Sequence, residues 1–222
     1  LIRKIVISTG AVTTLAGTGS SGSANGTGTS ASFNYPRGIT TDGTILYVAD
    51  NSNHLIRKIV ISTGAVTTLA GTGSSGSANG TGTSASFNAP EGITTDETIL
   101  YVADTSNNLI RQIVISTGVV TTVAGTGSSG SANGTGTSAS FNLPQGITTD
   151  GTNLYVTENN NHTIRQIVIS TGVVTTVAGT GSSGSANGTG TSASFSSPYG
   201  ITTDGTNLYV ADMSNHLIRK IE

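Results

Sequence analysis

Short hydrophobic runs and turn-forming clusters alternate along this chain. Residues 39–41 form a first short run, and Asp42-Gly43 is a tight-turn signal. Residues 45–49 place apolar side chains on both faces, as a strand covered on both sides does. Residues 55–61 and 65–70 are two further runs, which a Ser-Thr-Gly turn separates. The pattern predicts four consecutive antiparallel strands.

This pattern recurs with a period of 54 residues, in the copies 1–54, 55–108, 109–162 and 163–216, and a partial copy follows at 217–222. Each copy is too small and too polar to close a core alone, so neighbouring copies must bury one another's faces. Four antiparallel strands per copy are typical of a propeller blade. We therefore predict an all-β fold, a β-propeller built of four-stranded antiparallel blades with about four blades on this chain. Residues 1–222 would form a single propeller domain or a propeller segment.

A polar tract connects each copy to the next. Residues 71–86 consist of Gly, Ser, Thr, Asn and Ala and contain no large apolar residue, which favours a surface path. Each tract ends at a phenylalanine that we expect to be buried against the blade edge. These residues are Phe33, Phe87, Phe141 and Phe195.

The strand pattern assigns both ends of the chain to the same position in a blade. The chain begins with the third and fourth strands of a blade and ends with the first three, so residues 1–5 and 217–221 both fit the third-strand position. Unpaired strand edges favour edge-to-edge association. Two interpretations stay open: a window on a longer propeller, or blades shared between chains. Near-identity of the copies fits a recent amplification or a consensus design.

The composition argues against several classes of binding partner. Charged residues make up 9% of the chain and the net charge is −2, which argues against nucleic acid and anionic lipid as partners. The apolar runs are too short for a membrane-spanning helix, and there is no cysteine to indicate a redox compartment. The richness in Gly, Ser, Thr and Asn favours a secreted or cell-surface bacterial protein.

The repeat resembles a known family. Asn53-His54-Leu55 and Asn215-His216-Leu217 match the tripeptide that names the NHL-repeat family, and each is followed by Ile-Arg-Lys-Ile. Asn108 and Thr163 depart from the tripeptide in the other copies. The resemblance covers essentially the whole chain. It implies a β-propeller, commonly six-bladed, that usually serves as a binding platform. Some relatives are lyases or hydrolases with a metal in the central channel.

The copies differ from one another at few positions. At these positions the shared blade scaffold does not fix the residue type. They fall before the repeated proline, after it, and in the turn between the second and third strands. In a propeller these places lie on one face, around the mouth of the central channel. The twelve residues are Tyr35, Ala89, Leu143 and Ser197, then Arg37, Glu91, Gln145 and Tyr199, then Asn51, Thr105, Asn159 and Met213.

We predict that this variable face binds a protein, peptide or glycan, with Arg37, Glu91, Gln145 and Tyr199 as the main contacts. Drift at exposed turns is the competing explanation of the same variation. The predicted function is a non-enzymatic binding scaffold. The alternatives are a self-assembling structural propeller that shares blades between chains and a channel-metal lyase or hydrolase.

Candidate chemistry is sparse. The string from Gly17 to Gly22 fits G-x-G-x-x-G but lacks the following helix and acidic residue of a dinucleotide site. No serine or threonine has an attendant base, so we predict no catalytic residues. The histidines at blade ends point away from one another, and Asp42 and its equivalents suit a hairpin turn, so we predict no metal site and no cofactor. Arg57 and its equivalents, flanked by isoleucines, are expected to pair with a carboxylate such as Asp50.

Overall fold

Twenty strands in five sheets make up the chain in a computed structural model that describes all 222 residues. Blade 1 comprises β3 (Gly26–Thr27), β4 (Pro36–Thr41), β5 (Ile45–Asp50), β6 (Leu55–Val60) and β7 (Ala65–Ala70). Blade 2 comprises β8 (Gly80–Thr81), β9 (Pro90–Thr95), β10 (Ile99–Asp104), β11 (Leu109–Val114) and β12 (Val119–Ala124). Blade 3 comprises β13 (Gly134–Thr135), β14 (Pro144–Thr149), β15 (Asn153–Glu158), β16 (Thr163–Val168) and β17 (Val173–Ala178).

The two ends of the chain form smaller sheets. β1 (Ile2–Ile5) pairs with β2 (Val12–Ala16), and blade 4 comprises β18 (Pro198–Thr203), β19 (Leu208–Asp212) and β20 (Leu217–Ile221). The sheet of β1 and β2 and the sheet of blade 4 share no strand pairing, so the third-strand position is occupied once in each. Strand exchange between chains stays a prediction.

The prediction of an all-β propeller with four blades is confirmed, and its count of four strands per blade is wrong for the complete blades. Each of these blades has five strands, because a Gly-Thr pair within the polar tract hydrogen-bonds to the outermost long strand. Gly80 and Thr81, for example, pair with Val120 and Val119. This added strand covers the edge that a four-stranded blade would leave open.

Neighbouring blades bury each other's apolar faces, as the repeat requires. One core cluster holds Tyr47, Ile56 and Phe87 together with Leu100 and Val102 of the following blade. The phenylalanine that ends each tract is buried in every copy, as predicted. The cores therefore lie between the blades rather than within any one of them.

A buried arginine ties each polar tract to its blade. Arg111 donates to the Asp104 carboxylate at 2.9 Å, and both side chains are fully buried. The same guanidinium donates to the carbonyl oxygens of Ser86 and Ala78, and it stacks on the Phe87 ring with 5.3 Å to the ring centre. The predicted arginine–carboxylate pair is confirmed in all four blades.

The same carboxylate fixes the loop that leads into the innermost strand. Asp104 accepts the backbone N–H of Asn88 at 2.7 Å, and Asp50 accepts that of Asn34 at 2.8 Å. Burial raises the pKa of Asp104, and the hydrogen bonds from Asn88, Asn107 and Arg111 oppose that rise. Each buried pair thus positions the residues on either side of the repeated proline.

Short 3₁₀ turns follow the second strand in three copies and precede the innermost strand in four. The former are Asn51–Asn53, Thr105–Asn107 and Met213–Asn215, and the latter are Gly28–Ser30, Gly82–Ser84, Gly136–Ser138 and Gly190–Ser192.

The residue after the second-strand turn, histidine or asparagine, links each of the first three blades to the next. His54 has a left-handed backbone with φ of 56°, and its Nδ1 accepts the backbone N–H of Ala89 at 3.0 Å. His162 accepts that of Ser197 at 3.1 Å in the same way. In the copy without histidine, Asn108 Oδ1 accepts the N–H of Leu143 at 3.0 Å. Asparagine therefore replaces histidine with both the hydrogen bond and the left-handed backbone retained.

This equivalence predicts how His162 responds to substitution. His162→Asn should leave the free energy of unfolding within about 0.5 kcal/mol of the native value, since Asn108 already serves in this position. His162→Leu should cost about 1–3 kcal/mol, because the Ser197 N–H loses its acceptor. Urea denaturation of the two variants measures the difference. Equal stability of the two would show that the link between blades carries no free energy.

Candidate functional site

The innermost strands β4, β9, β14 and β18 are neighbours in that order and line a cavity of about 400 Å³. Each strand contributes the residue after its proline, followed by a glycine and an isoleucine. Arg37, Glu91, Gln145 and Tyr199 lie at the polar end. Beyond them, four isoleucines line the same cavity at Ile39, Ile93, Ile147 and Ile201. We call this cavity the channel mouth.

Tyr199 connects three blades across the channel mouth. Its hydroxyl donates to Glu91 Oε2 at 2.6 Å and accepts from the Arg37 guanidinium at 3.1 Å. The hydrogen bond from Arg37 is the one that joins the first blade to the fourth. Arg37 and Glu91 thus interact through the phenol, and the two opposite charges lie on either side of it.

Burial raises the pKa of Tyr199 to about 12, and the hydrogen bond to Glu91 together with the negative charge of that carboxylate acts in the same direction. Arg37 opposes the shift through its positive charge. Tyr199 is therefore neutral at ordinary pH and serves as a hydrogen-bonding group rather than as a base.

Gln145 has no partner within the protein. Its Oε1 is buried and accepts no hydrogen bond. A buried polar atom of this kind destabilises the fold by about 1–3 kcal/mol unless a donor reaches it. Gln145 also lines the cavity, and a turn of its terminal amide would bring this oxygen within reach of a donor there. A buried polar atom without a partner requires an explanation, and a ligand in the cavity would supply one.

The residues before the proline lie outside the channel mouth. Tyr35 is 70% exposed and lines a separate shallow pocket of about 210 Å³. All four have a left-handed backbone with φ near 50°. Their backbone N–H groups face the preceding blade, where histidine or asparagine accepts them in three interfaces. The members of this group are Tyr35, Ala89, Leu143 and Ser197.

Two of the four predicted contacts in the second-to-third-strand turn are corrected by the structure. Asn51 and Thr105 are buried, and their side chains donate to the carbonyl oxygens of Pro90 and Pro144 in the following blade. They join blades and are not accessible to a ligand. Asn159 is half-buried and Met213 is 49% exposed, and neither lines the channel mouth.

Sequence reasoning missed Thr157. Its hydroxyl donates to the carbonyl oxygen of Tyr199 at 2.6 Å and accepts the backbone N–H of Gly146 at 2.8 Å. It thereby fixes the backbone beside Gln145 and Tyr199. The signal was present in the sequence, because the other copies have alanine at this position, in Ala49, Ala103 and Ala211.

At the opposite end of the innermost strands, the aspartate carboxylates accept hydrogen bonds from residues of the turns that follow them. Burial of Asp42 alone would raise its pKa, but the backbone N–H groups of Thr44 and Ile45 lower it to about 2. The Tyr47 hydroxyl donates to the same carboxylate at 2.8 Å. This geometry supports the turn role given to these residues.

Potential metal ligands are scattered over the structure. Nowhere do three or more His, Cys, Asp or Glu side chains come together as a group that could hold a metal ion. The chain also has no helix with the length and apolarity needed to cross a bilayer.

Comparison with known proteins identifies a propeller of NHL-type repeats. NHL repeat-containing protein 2 of Homo sapiens is 38% identical over 104 residues, which are 45% of this chain and 14% of that protein. Protein SUPPRESSOR OF QUENCHING 1, chloroplastic, of Arabidopsis thaliana is 31% identical over an alignment of 224 residues, which covers 92% of this chain and 21% of that protein. No family model matches. This chain belongs to the NHL-repeat β-propeller family.

Solved structures agree on the fold. An auxiliary nutrient binding protein from Bacteroides ovatus has a TM-score of 0.68 at 21% identity, over 86% of this chain and 49% of that one. A chain of the nidogen/laminin complex has a TM-score of 0.67 at 17% identity, over 99% of this chain and 66% of that one. The chain spans about one seventh to one fifth of the length of the curated relatives it matches.

Proposed function

We propose that this chain is a non-catalytic binding module whose channel mouth recognises a ligand through Arg37, Glu91, Gln145 and Tyr199. One observation carries the proposal. The four innermost strands are otherwise repeats of one another, yet they place four chemically different side chains at one cavity, where the Gln145 oxygen is buried without a partner. A concave site with a few convergent polar groups over an apolar lining is what ligand sites have in common.

The relatives and structural neighbours support a binding role in general terms. Neighbours with this fold include auxiliary nutrient binding proteins and a chain from the nidogen/laminin complex, both at about one fifth identity or less. That likeness establishes the fold, so the ligand of this chain depends on its own channel-mouth residues. Their hydrogen-bonding groups and their compensating charges favour a glycan or a peptide over a phosphate.

A paired charge removal tests the proposal. The double variant Arg37→Ala/Glu91→Ala removes one cation and one anion and therefore keeps the net charge of −2. Native and variant chains are applied to one array that presents glycans and peptides. We expect the native chain to bind specific array members and the variant to lose that binding about tenfold or more, because two charged hydrogen-bonding groups are absent.

The matched control is Lys58→Ala/Glu97→Gly. It also removes one cation and one anion, and neither residue lines the channel mouth. The glycine restores the turn residue of the other copies at a position with φ of 76°. This control should bind as the native chain does. Equal binding by the native chain and the channel-mouth variant, or no binding by the native chain to any array member, would contradict the proposal.

A further inference from the structure

The hydrogen-bonding groups left free at the channel mouth define the chemistry of its ligand. Gln145 has an acceptor oxygen that no protein group reaches, and a turn of its terminal amide presents this oxygen to the cavity. Glu91 has its second oxygen free, since only Tyr199 donates to this carboxylate. Arg37 uses one nitrogen on Tyr199 and keeps the rest of its donors. A ligand here must therefore donate to two separate acceptors and accept from a guanidinium within one small cavity.

The charge of the channel mouth favours a neutral ligand. Arg37 and Glu91 are its two charged side chains, and the Tyr199 hydroxyl bonds to both of them. A net charge on the ligand would be attracted by one of these groups and repelled by the other at similar range. A neutral molecule with groups that both donate and accept can satisfy all three without such conflict.

The lining beyond the polar residues favours a ligand with an apolar face. Ile93 and Ile147 are buried, at 6% exposure each, and with Ile39 and Ile201 they form an aliphatic surface next to the glycine backbone. At about 400 Å³ the cavity is in the lower part of the range for small-molecule sites. A pyranose ring has this combination, with hydroxyls around its edge and C–H groups on its faces.

We propose that the channel mouth binds a neutral pyranose sugar, either free or as the terminal residue of a glycan. This inference rests on the proposed function, since it names the ligand class of the same site. The sugar hydroxyls donate to Gln145 Oε1 and to the free oxygen of Glu91 and accept from Arg37, while one C–H face of the ring lies on the isoleucines. Tyr199 holds Arg37 and Glu91 in the positions that the hydroxyls need.

The test measures saturation transfer by NMR from the native chain to the methyl α- and β-pyranosides of glucose, galactose, mannose and N-acetylglucosamine. We expect at least one to bind. Glu91→Gln, which keeps an acceptor for Tyr199, should weaken that binding about tenfold or more. Comparison with the free sugars identifies the source, because glycosides that bind as well as free sugars indicate the end of a glycan.

Gln145→Leu separates binding from folding. Leucine removes the unpartnered amide oxygen and keeps the bulk of the side chain, so the variant should be as stable as the native chain or more stable. Its sugar binding should nevertheless fall about tenfold. Glu97→Gly, which removes an exposed carboxylate that does not line the channel mouth, should bind sugar normally.

The outcomes distinguish this inference from the proposed function. Failure of every sugar to bind, together with array ligands that depend on Arg37 and Glu91, overturns the sugar and keeps the binding module. Binding of glycine or another zwitterionic amino acid in place of sugars leads to the same conclusion. Sugar binding that Glu91→Gln and Gln145→Leu leave unchanged places the sugar elsewhere and overturns the sugar inference, and the array experiment with Arg37→Ala/Glu91→Ala then decides the proposed function alone.

Discussion

Arg111→Met should destabilise the chain by about 3–5 kcal/mol, because it leaves a fully buried carboxylate without its cation. The Asp104 charge would then rest on two hydrogen bonds, from Asn88 and Asn107. The carbonyl oxygens of Ser86 and Ala78 would lose their donor at the same time. The polar tract would be released from its blade, and the loop leading to Glu91 with it. Urea denaturation at neutral pH measures the loss.

Arg3→Met is the matched control. Arg3 occupies the same repeat position, but it is exposed and forms no ion pair, so its removal should change stability by less than about 0.5 kcal/mol. A second change, Asp104→Asn in the Arg111→Met chain, should recover part of the loss, since it removes the unpaired charge. Equal effects of Arg111→Met and Arg3→Met would show that the buried pair does not hold the blade.

The pH dependence of the Arg111→Met variant follows from the raised pKa of Asp104. Loss of the arginine raises that pKa further, so the folded state binds a proton at a pH where the unfolded state does not. The penalty is complete above the folded-state pKa and disappears below the ordinary aspartate value. The stability difference between variant and native chain should therefore shrink as the pH is lowered through this range.

Much of the fold could be predicted from the sequence because the same pattern of strands and turns recurs in every copy of the repeat. The apolar run of residues 45–49 and the turn signals around Asp42 define the long strands, and an arginine flanked by isoleucines requires a buried partner. The fifth strand could not be predicted in this way. Gly80-Thr81 has no hydrophobic alternation, and its pairing depends on a tertiary contact in which the Gly82 N–H donates to the Gly118 carbonyl oxygen at 2.8 Å.

Variation among the copies located the channel mouth but did not distinguish its residues from the contacts between blades. Arg37 and Tyr199 vary and meet at one cavity. Asn51 and Thr105 occupy a position that also varies, but each side chain donates to a proline carbonyl oxygen of the next blade. This position can vary because an amide and a hydroxyl can both make that hydrogen bond. Substitutions among the copies show only that the shared fold does not require one residue type at a position. Only the distances show which side chains face the channel.

Gly92→Ala should cost about 3 kcal/mol or more, at the upper end for overpacking, because the innermost strands of neighbouring blades approach too closely for any side chain. A Cβ at this position would overlap the carbonyl oxygen of Gln145 and meet the backbone nitrogen of Ile147. Both are backbone atoms, so no rotamer change can relieve the overlap. The blades would have to separate at the channel mouth, beside the Tyr199–Glu91 hydrogen bond.

Gly200→Ala provides the comparison within the same repeat position. No further innermost strand lies beside Gly200, and a Cβ there would have Ala211 Cβ as its nearest neighbour at 3.8 Å. Alanine should therefore be neutral or stabilise the chain by up to about 1 kcal/mol through the unfolded state. Denaturation of both variants measures the contrast. A Gly92→Ala variant as stable as Gly200→Ala would show that the innermost strands can part without cost, in which case the channel mouth would not be the rigid site that the proposed binding requires.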